Sequence, residues 1–386
     1  MKTKIAILGS TGSIGKNLIE IVQKKKTFFK VDLLTAKTNY NTLIEQAEKL
    51  NVKNIILTDY NSFILAKKKI KKKINIYNNF KSFNKIFKSK VDYSLCAISG
   101  LEGLLPLLNI IKYSKSIAIA NKESIISGWN LISKDLKKFK TSFIPIDSEH
   151  FSIFFGIKDL NTNLIQKVYL TASGGPFLHL PLNKFKDISI KDALRHPNWI
   201  MGKKISIDSS TMMNKVFEVI EAKKIFNISY NKIKIIIHPK SYLHAIVKFK
   251  NGMIKLIAHD TTMKIPIANS LPAYNFTKEF SKDVDLDKLN NLNLNTPDLN
   301  KFPLIRIINN LPNNDTLFDT ILVSLNDELV KMFLERKIKY RDISLLFLKL
   351  IKSKDLIKYK NISTYNISDI TNLDKYVRIK VRSLVV

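Results

Sequence analysis

The 386-residue chain has a single cysteine, Cys96, so an internal disulfide is impossible and a disulfide-stapled miniprotein is excluded. Cys96 lies in the apolar run Tyr93-Ser94-Leu95-Cys96-Ala97-Ile98, where it reads as a small buried hydrophobe rather than a nucleophile and suits a reducing cytosol. No apolar stretch approaches the roughly 18 residues of a membrane span. Lys4-Ile5-Ala6-Ile7-Leu8 runs directly into Gly9, which leaves no room for a signal-peptide core. The expectation is a cytoplasmic protein with no membrane partner. Acidic residues are scarce, 32 against 64 basic ones, for a net charge of +32. That excess alone would invite a nucleic-acid reading. The lysines, however, are spread along the chain among Asn and Ile. The one dense run, Lys67 to Lys73, closes a predicted helix, where it suits the C-terminal dipole, and no aromatics are interleaved with it for base stacking. Nucleic acid is therefore not an expected partner. Internal repeats and low-complexity tracts are also lacking.

With 45% hydrophobic and 25% charged residues the chain is globular, long enough for two or three domains. Residues 1–146 alternate short apolar runs with helix-period segments, the pattern of βα units on a parallel, doubly wound, Rossmann-like sheet. The expected strands are Lys4–Leu8, Val31–Thr35, Asn54–Leu57, Asp92–Leu95, Ser116–Ala120 and Ser142–Pro145. Residues 147–280 mix strands and helices, as in a central α+β domain. They include a stretch of weak periodicity at about 176–202, with Pro176, Pro181 and Pro197, that reads as a lid or binding loop. Residues 281–300 read as a linker. Residues 301–386 read as a C-terminal helical domain, with Phe318, Ile321, Leu322, Leu325, Leu329, Met332 and Phe333 as its apolar stripe.

Strand, then Gly9-Ser10-Thr11-Gly12-Ser13-Ile14-Gly15, then a helix starting near Ser13 is the setting of a dinucleotide loop. The spacing is GxxGxxG rather than GxGxxG, and in isolation a plain tight turn would account for it; the clean strand before it favours a nucleotide. The end of the second strand reads Thr35-Ala36-Lys37-Thr38-Asn39 and offers no acid for a ribose hydroxyl. Asp32 stands at the wrong end. This points to NADPH, with Lys37 and Thr38 near the 2′-phosphate.

Pro145-Ile146-Asp147-Ser148-Glu149-His150 ends another strand. If the chain is still extended there, Asp147 and Glu149 point to one side, and two converging carboxylates suit a hard divalent cation. The equally open alternative is an ordinary helix cap. Asp208 to Glu218 reads as one capped helix with Asn214 and Glu218 on a shared face beside Lys215, so that Glu218 could complete a metal site while Asn214 and Lys215 meet substrate oxygens. A surface Glu/Lys pairing is the plainer alternative. Thr171-Ala172-Ser173-Gly174-Gly175-Pro176-Phe177 offers a small nest of donors for a phosphate, or a simple turn. His196-Pro197-Asn198-Trp199-Ile200-Met201-Gly202 puts an imidazole and an indole on a loop, as a lid over substrate would need. His238 and His244 read as structural.

Taken together, GSTGSIG from Gly9, ANKES from Ala120, PIDSEH from Pro145, TASGGPF from Thr171, HPNWIMGKKISIDSSTMMNK from His196 and HPKSYLHAIVKF from His238 closely resemble the 1-deoxy-D-xylulose 5-phosphate reductoisomerase family. The resemblance covers nearly the whole chain, weakly through its C-terminal helices around Asn326 to Ile343. It implies Asp147, Glu149 and Glu218 as ligands of Mg²⁺, Mn²⁺ or Co²⁺. It implies Lys122, Ser148, Glu149, Ser173, His196, Trp199, Ser209, Asn214, Lys215 and Glu218 as substrate positions, with Ser173, Ser209, Asn214 and Lys215 on the phosphate side. Lys122, Glu149 and His196 would form the catalytic set. Thr11, Gly12, Ser13, Ile14, Lys37, Thr38, Asn39, Asn121, Glu123, Gly202 and Met263 would meet NADPH, and Trp199 would ride on the mobile flap.

The same resemblance implies the reaction: metal-assisted rearrangement of a sugar phosphate, 1-deoxy-D-xylulose 5-phosphate, to an aldehyde. NADPH-dependent reduction then gives 2-C-methyl-D-erythritol 4-phosphate, in the non-mevalonate route to isoprenoid precursors. It also implies a homodimer. Three departures stand out: Lys37-Thr38-Asn39 where Gly-Lys-Asn is usual, Val216 for Gly, and Phe151-Ser152 for Asn-Ala. None removes a carboxylate, the lysine or the histidine. A semialdehyde-type reductase is the competing enzyme class, and it would need a catalytic cysteine where Cys96 is poorly placed.

Overall fold

The computed structural model describes residues 2–70, 73–199, 201–272, 280–364 and 366–384. The middle of the lysine run (Lys71 and Lys72) and Ile200 of the tryptophan loop lie outside the described residues. The chain divides into two compact units. The first comprises residues 1–124, 131–151 and 263–280, and the second residues 125–130, 152–262 and 281–386.

The first unit is built on seven strands: β1 (Thr3–Leu8), β2 (Phe29–Ala36), β3 (Asn54–Leu57), β4 (Asn75–Tyr77), β5 (Val91–Cys96), β6 (Ser114–Ile119) and β7 (Ser142–Pro145). All pair in parallel, in the order β4-β3-β2-β1-β5-β6-β7, a doubly wound sheet whose winding reverses between β1 and β5. Helices α1 (Ser13–Lys24), α2 (Tyr40–Lys49), α3 (Tyr60–Lys69), α4 (Phe83–Ile86), α5 (Leu104–Ile111) and α6 (Lys122–Lys138) alternate with them. A parallel sheet covered on both faces needs continuous apolar runs. Ile5, Ala6, Ile7 and Leu8 are fully buried accordingly, with Leu18, Ile21 and Val22 of α1 in one core cluster with Ile5 and Ile7. All six expected strands are present. The seventh, β4, is not expected from the sequence because three residues, Asn-Ile-Tyr, are too few to show a pattern. Lys67, Lys68 and Lys69 do form the basic last turn of α3.

Helix α7 (Ser148–Gly156) follows β7 and leads into the second unit. There β8 (Ile165–Ala172), β9 (Ile233–Ile237), β10 (Leu243–Phe249) and β11 (Ile254–Ala258) form a mixed sheet in the order β11-β10-β8-β9. Between β8 and β9 come α8 (Ile190–Ala193), α9 (Lys203–Ser210) and α10 (Met213–Phe226). Helix α11 (Lys264–Ser270) returns to the first unit, and α12 (Leu286–Asn290) lies in the segment expected to be a linker. That segment is not structureless, since Asn295 bridges Ile237 of β9. The expected apolar stripe forms the buried face of α13 (Phe318–Leu334), joined by α14 (Tyr340–Leu350), α15 (Lys354–Ile357) and α16 (Ile367–Arg382).

Two local expectations are corrected. Asp147 and Glu149 do not share one side of an extended strand: helix α7 begins at Ser148, and the Phe151 amide donates to the Asp147 carbonyl at 2.7 Å, closing its first turn. Asp208 to Glu218 is not one helix. Asp208 lies in the last turn of α9, which ends at Ser210, and α10 starts only after Met212, whose left-handed backbone (φ 62) changes the chain direction while its side chain is buried in the core.

Candidate functional site

At the switch point of the first sheet the loop after β1 turns on glycine. Gly9 has φ +83, and a Cβ there would meet the Ala97 carbonyl oxygen at 2.7 Å; at Gly15 a Cβ would collide with the backbone of Gly9 and Ser10. The Gly9 amide donates to the Thr35 hydroxyl oxygen at 3.0 Å. Gln46, buried on α2, holds Ser10 twice: it accepts from the Ser10 hydroxyl at 2.7 Å and donates to its carbonyl at 3.0 Å. Gln46 is not among the residues expected from the sequence, although an amide within the apolar face of Leu43, Ile44 and Ala47 is a signal for it. Gly12 stands at the N-cap of α1 and brings no capping side chain. The amides of Ser13, Ile14 and the rest of that first turn are thus left to an anion. At the end of β2, Lys37 forms an exposed ion pair with Glu102 at 2.7 Å, and Asn39 caps α2 by accepting from the Thr42 amide at 3.2 Å. Thr38 follows on the same loop. Asn121 caps α6, accepting from the Ser124 amide at 2.8 Å and donating to the carbonyls of Ile98 and Gly100. Glu123 is buried in the first turn of α6, and Met263 packs against the core of this unit. Gly202 is the N-cap of α9, in the second unit.

The first unit also gathers Lys122, Asp147, Ser148, Glu149 and His150 where β6 and β7 feed α6 and α7. Lys122 pairs with Asp147; His150, fully buried, meets the other Asp147 oxygen at 3.2 Å; and the Ser148 hydroxyl donates to Glu149 at 2.5 Å. Burial by itself would raise the Asp147 pKa, but the Lys122 ammonium and the His150 hydrogen bond hold this carboxyl well below the usual carboxylate range.

In the second unit, α10 presents Asn214, Lys215 and Glu218 on one turn. The Asn214 amide donates to Glu218 at 2.5 Å, and Lys215 pairs with Glu218 at 2.5 Å with both side chains buried. His196 meets Ser173 at 3.0 Å, Nε2 to Oγ, while its Nδ1 accepts from the amides of Asn198 (3.2 Å) and Trp199 (3.0 Å). Two donors on Nδ1 fix the neutral tautomer with its proton on Nε2, so the ring donates to Ser173. Burial, with the Lys215 ammonium adding to it, pushes His196 down to about 4. Ser173 Oγ also accepts from the Gly175 amide at 3.1 Å, which leaves its own proton to donate. Gly175 (φ +65) lies against the backbone of Ser209, where a Cβ would stand 3.0 Å from the Ser209 carbonyl oxygen. Trp199 stands edge-on to His244, 6.4 Å between ring centres, and His244 stacks on His259. His238 is fully buried and bonds the Leu292 carbonyl at 2.5 Å. Among the described residues, Asp147, Glu149 and Glu218 are a group of carboxylates able to hold a metal ion. All three donate through oxygen, which fits a hard divalent cation. A cavity of ≈ 740 Å³ beside β9, lined by Tyr230, Ile235 and Arg306 among others, contains none of the expected site residues.

Comparison with known proteins decides what these pieces belong to. Three family models match: 1-deoxy-D-xylulose 5-phosphate reductoisomerase over residues 5–128, its C-terminal domain over 143–226, and the DXP reductoisomerase C-terminal domain over 260–380. The chain belongs to the 1-deoxy-D-xylulose 5-phosphate reductoisomerase family. It is 57% identical to the family member of Pelagibacter ubique over 384 residues, 99% of each chain. Among solved structures it is similar to a DOX-P reductoisomerase in complex with NADPH, fosmidomycin and magnesium (30% identity, TM-score 0.93, 99% of this chain and 98% of the other). It is also similar to the Zymomonas mobilis enzyme in complex with NADPH (28% identity, TM-score 0.89, 100% and 99% covered). No described helix is long and apolar enough to cross a membrane.

Proposed function

We propose that this chain catalyses the NADPH- and divalent-metal-dependent rearrangement and reduction of 1-deoxy-D-xylulose 5-phosphate to 2-C-methyl-D-erythritol 4-phosphate, a step in the supply of isoprenoid precursors. One observation carries the reading: a chain matched to the family almost end to end retains an oxygen-donor group of three carboxylates. Asp147, Glu149 and Glu218 would hold Mg²⁺, Mn²⁺ or Co²⁺, which supplies Lewis-acid polarisation of a carbonyl when bound. The bare first turn of α1, with Thr11, Gly12, Ser13 and Ile14, would take the NADPH pyrophosphate. Lys37, Thr38 and Asn39 would face its 2′-phosphate, and Asn121, Glu123, Gly202 and Met263 would complete its contacts.

The protein residues divide the remaining work. Ser173, with its hydroxyl proton aimed outward by His196 and Gly175, donates to the substrate phosphate, as do Ser209, Asn214 and Lys215. Lys122, Ser148 and Glu149 orient the reacting end, and Lys122 or Glu149 moves protons during the rearrangement. His196 stays neutral and donates through Nε2. Trp199 closes with the 176–202 flap and excludes water. The division of labour is residues 1–146 for NADPH, 147–280 for chemistry, 281–300 as connection and 301–386 as helical support. The protein works in the cytoplasm, where its buried, free Cys96 suits a reducing compartment. It works as a homodimer: among the described residues β11 pairs with β10 alone, and its exposed Ile254 and Leu256, with exposed Met253 just before the strand, make an apolar sheet edge suited to a second copy.

The direct test follows NADPH absorbance with purified protein, 1-deoxy-D-xylulose 5-phosphate and Mg²⁺ or Mn²⁺. Oxidation that needs both substrate and metal, and stops with EDTA, supports the reading. No oxidation by folded, NADPH-binding protein overturns it. If Glu149→Gln and Lys122→Ala both kept near-normal turnover with metal and substrate bound, the proton-transfer assignment would be wrong.

A further inference from the structure

Two segments carry the hydroxyls assigned above to the substrate phosphate: the turn after β8, with Ser173, and helix α9, with Ser209. The first is a Gly-Gly-Pro turn with two left-handed glycines, and the second is an eight-residue helix followed, two residues on, by the left-handed Met212. Both are gripped from the C-terminal helices by side chains far away in sequence. Tyr340, buried at the start of α14, donates its phenol proton to the Ser210 carbonyl at 2.7 Å, one residue beyond Ser209. Its ring meets Phe177 of the Gly-Gly-Pro-Phe turn edge-on, 5.0 Å between centres, and Phe185 of the flap at 6.2 Å. Asn326, buried in the middle of α13, donates to Asp208 at 2.7 Å, one residue before Ser209. Asp208 is itself buried and pairs with Lys204 at 2.9 Å, which reaches Asp327 of α13 at 3.0 Å. Ser209 is thus bracketed by two bonds from another part of the fold, and the Ser173 turn leans on one of the same residues.

We propose that Tyr340 and Asn326 are positioning residues for the phosphate end of the site, so that the C-terminal helices set the affinity for the phosphorylated end of the substrate without touching it. A hydroxyl donor earns affinity only if its position is fixed before the ligand arrives, and a buried hydrogen bond to each neighbour of Ser209 supplies that fixing. The proposal rests on the reading of Ser173 and Ser209 given under Proposed function, and the test separates the two.

Tyr340→Phe removes only the phenol oxygen and keeps the ring packing; Asn326→Ala is the second variant, and Leu373→Ala, in the buried face of α16, is a control for stability loss elsewhere in the helices. The readouts are turnover of 1-deoxy-D-xylulose 5-phosphate, turnover of 1-deoxy-D-xylulose lacking the phosphate, and binding of inorganic phosphate by phosphorus NMR. Tyr340→Phe is expected to raise KM for the phosphorylated substrate and weaken inorganic phosphate by about fivefold, the scale of one lost hydrogen bond, with kcat near wild type. Turnover of the unphosphorylated sugar and NADPH binding should stay unchanged, and Leu373→Ala should lower the melting temperature without moving phosphate affinity. Equal losses on both sugars, or phosphate affinity that tracks melting temperature across all three variants, would overturn the proposal. So would wild-type protein that binds no phosphate. Wild-type protein that binds phosphate but does not turn over the substrate would remove the proposed activity, and the phosphate affinities of the variants would still decide the positioning role.

Discussion

Lys37 and Lys215 are both assigned to phosphate groups, one on the cofactor and one on the substrate, and the fold treats them in opposite ways. Lys37 stands at the end of β2 with 65% of its side chain exposed, paired with an equally open Glu102. Lys215 lies within α10 with 6% exposed, locked to a buried Glu218 at 2.5 Å. An exposed pair is worth little and lets go readily, whereas a buried charge is held in one geometry and is costly to disturb. The cofactor end therefore adapts to its ligand, and the substrate end is built before its ligand arrives. If that contrast is right, substitutions around α10 should have large, geometry-dependent effects, and those at β2 small, salt-dependent ones.

The sharpest break would come at Glu218. Glu218→Gln keeps the shape but removes a ligand charge and the partner of Lys215. Turnover should fall by at least ~100-fold, with metal polarisation lost from the reaction. Steady-state NADPH oxidation across a Mn²⁺ titration checks this, and full rate restored by excess metal would show that the carboxylate serves affinity alone.

Next is the anchor of α10. Lys224, buried near its end, pairs with Asp315 and, at 2.8 Å, with Asp319, which ties the helix to α13. Lys224→Met would leave the buried Asp319 and the half-buried Asp315 without their cation, and removing one partner of a buried pair costs about 3–5 kcal/mol. Urea unfolding should show that loss with an unchanged slope. A loss under about 1 kcal/mol would mean that α10 is held by its apolar face alone.

How far the sequence foretold this arrangement follows the same divide. The parallel sheet was legible because each strand is a local apolar run between helix-period segments, and β3 and β7 fall on the expected residues. The Gly loop was legible because it sits directly after such a run. What failed were features set by distant partners or by a single backbone angle. Met212 breaks the expected helix because its side chain is wanted in the core of the second unit, and nothing in Thr-Met-Met-Asn announces a left-handed residue. Asp147 reads equally well as strand or cap until the fold turns the chain into α7. Asp208 and Asn326 are 118 residues apart, so no spacing rule could pair them.

His196 extends the contrast to pH. Its folded value of about 4 lies below the usual value for an exposed histidine, roughly 6.5. On acidification the unfolded chain takes up this proton first. The stability contributed by the neutral ring is therefore fully present above about pH 6.5 and is lost progressively as pH falls toward 4. Urea midpoints of the wild type should decline over that window, and His196→Asn should decline less. The proton on C2 of the ring, followed by NMR, should show no midpoint near 6.5. A midpoint there would mean that the Asn198 and Trp199 amides do not hold Nδ1.

The smallest effect is expected at Glu102, and it tests the adaptive end directly. For Lys37 to reach a 2′-phosphate it must leave an ion pair that, exposed on both sides, is worth at most about 1 kcal/mol. Glu102→Ala removes that competitor, so KM for NADPH should fall, by no more than about fivefold, and the gain should shrink as salt is raised. Because the phosphate end of the substrate is assigned to Lys215 instead, KM for the sugar phosphate should not move under the proposed reading. A rise in KM for NADPH would mean that Glu102 holds Lys37 in its binding position. The cofactor end would then be preorganised like α10, by a charge on the surface rather than one in the core.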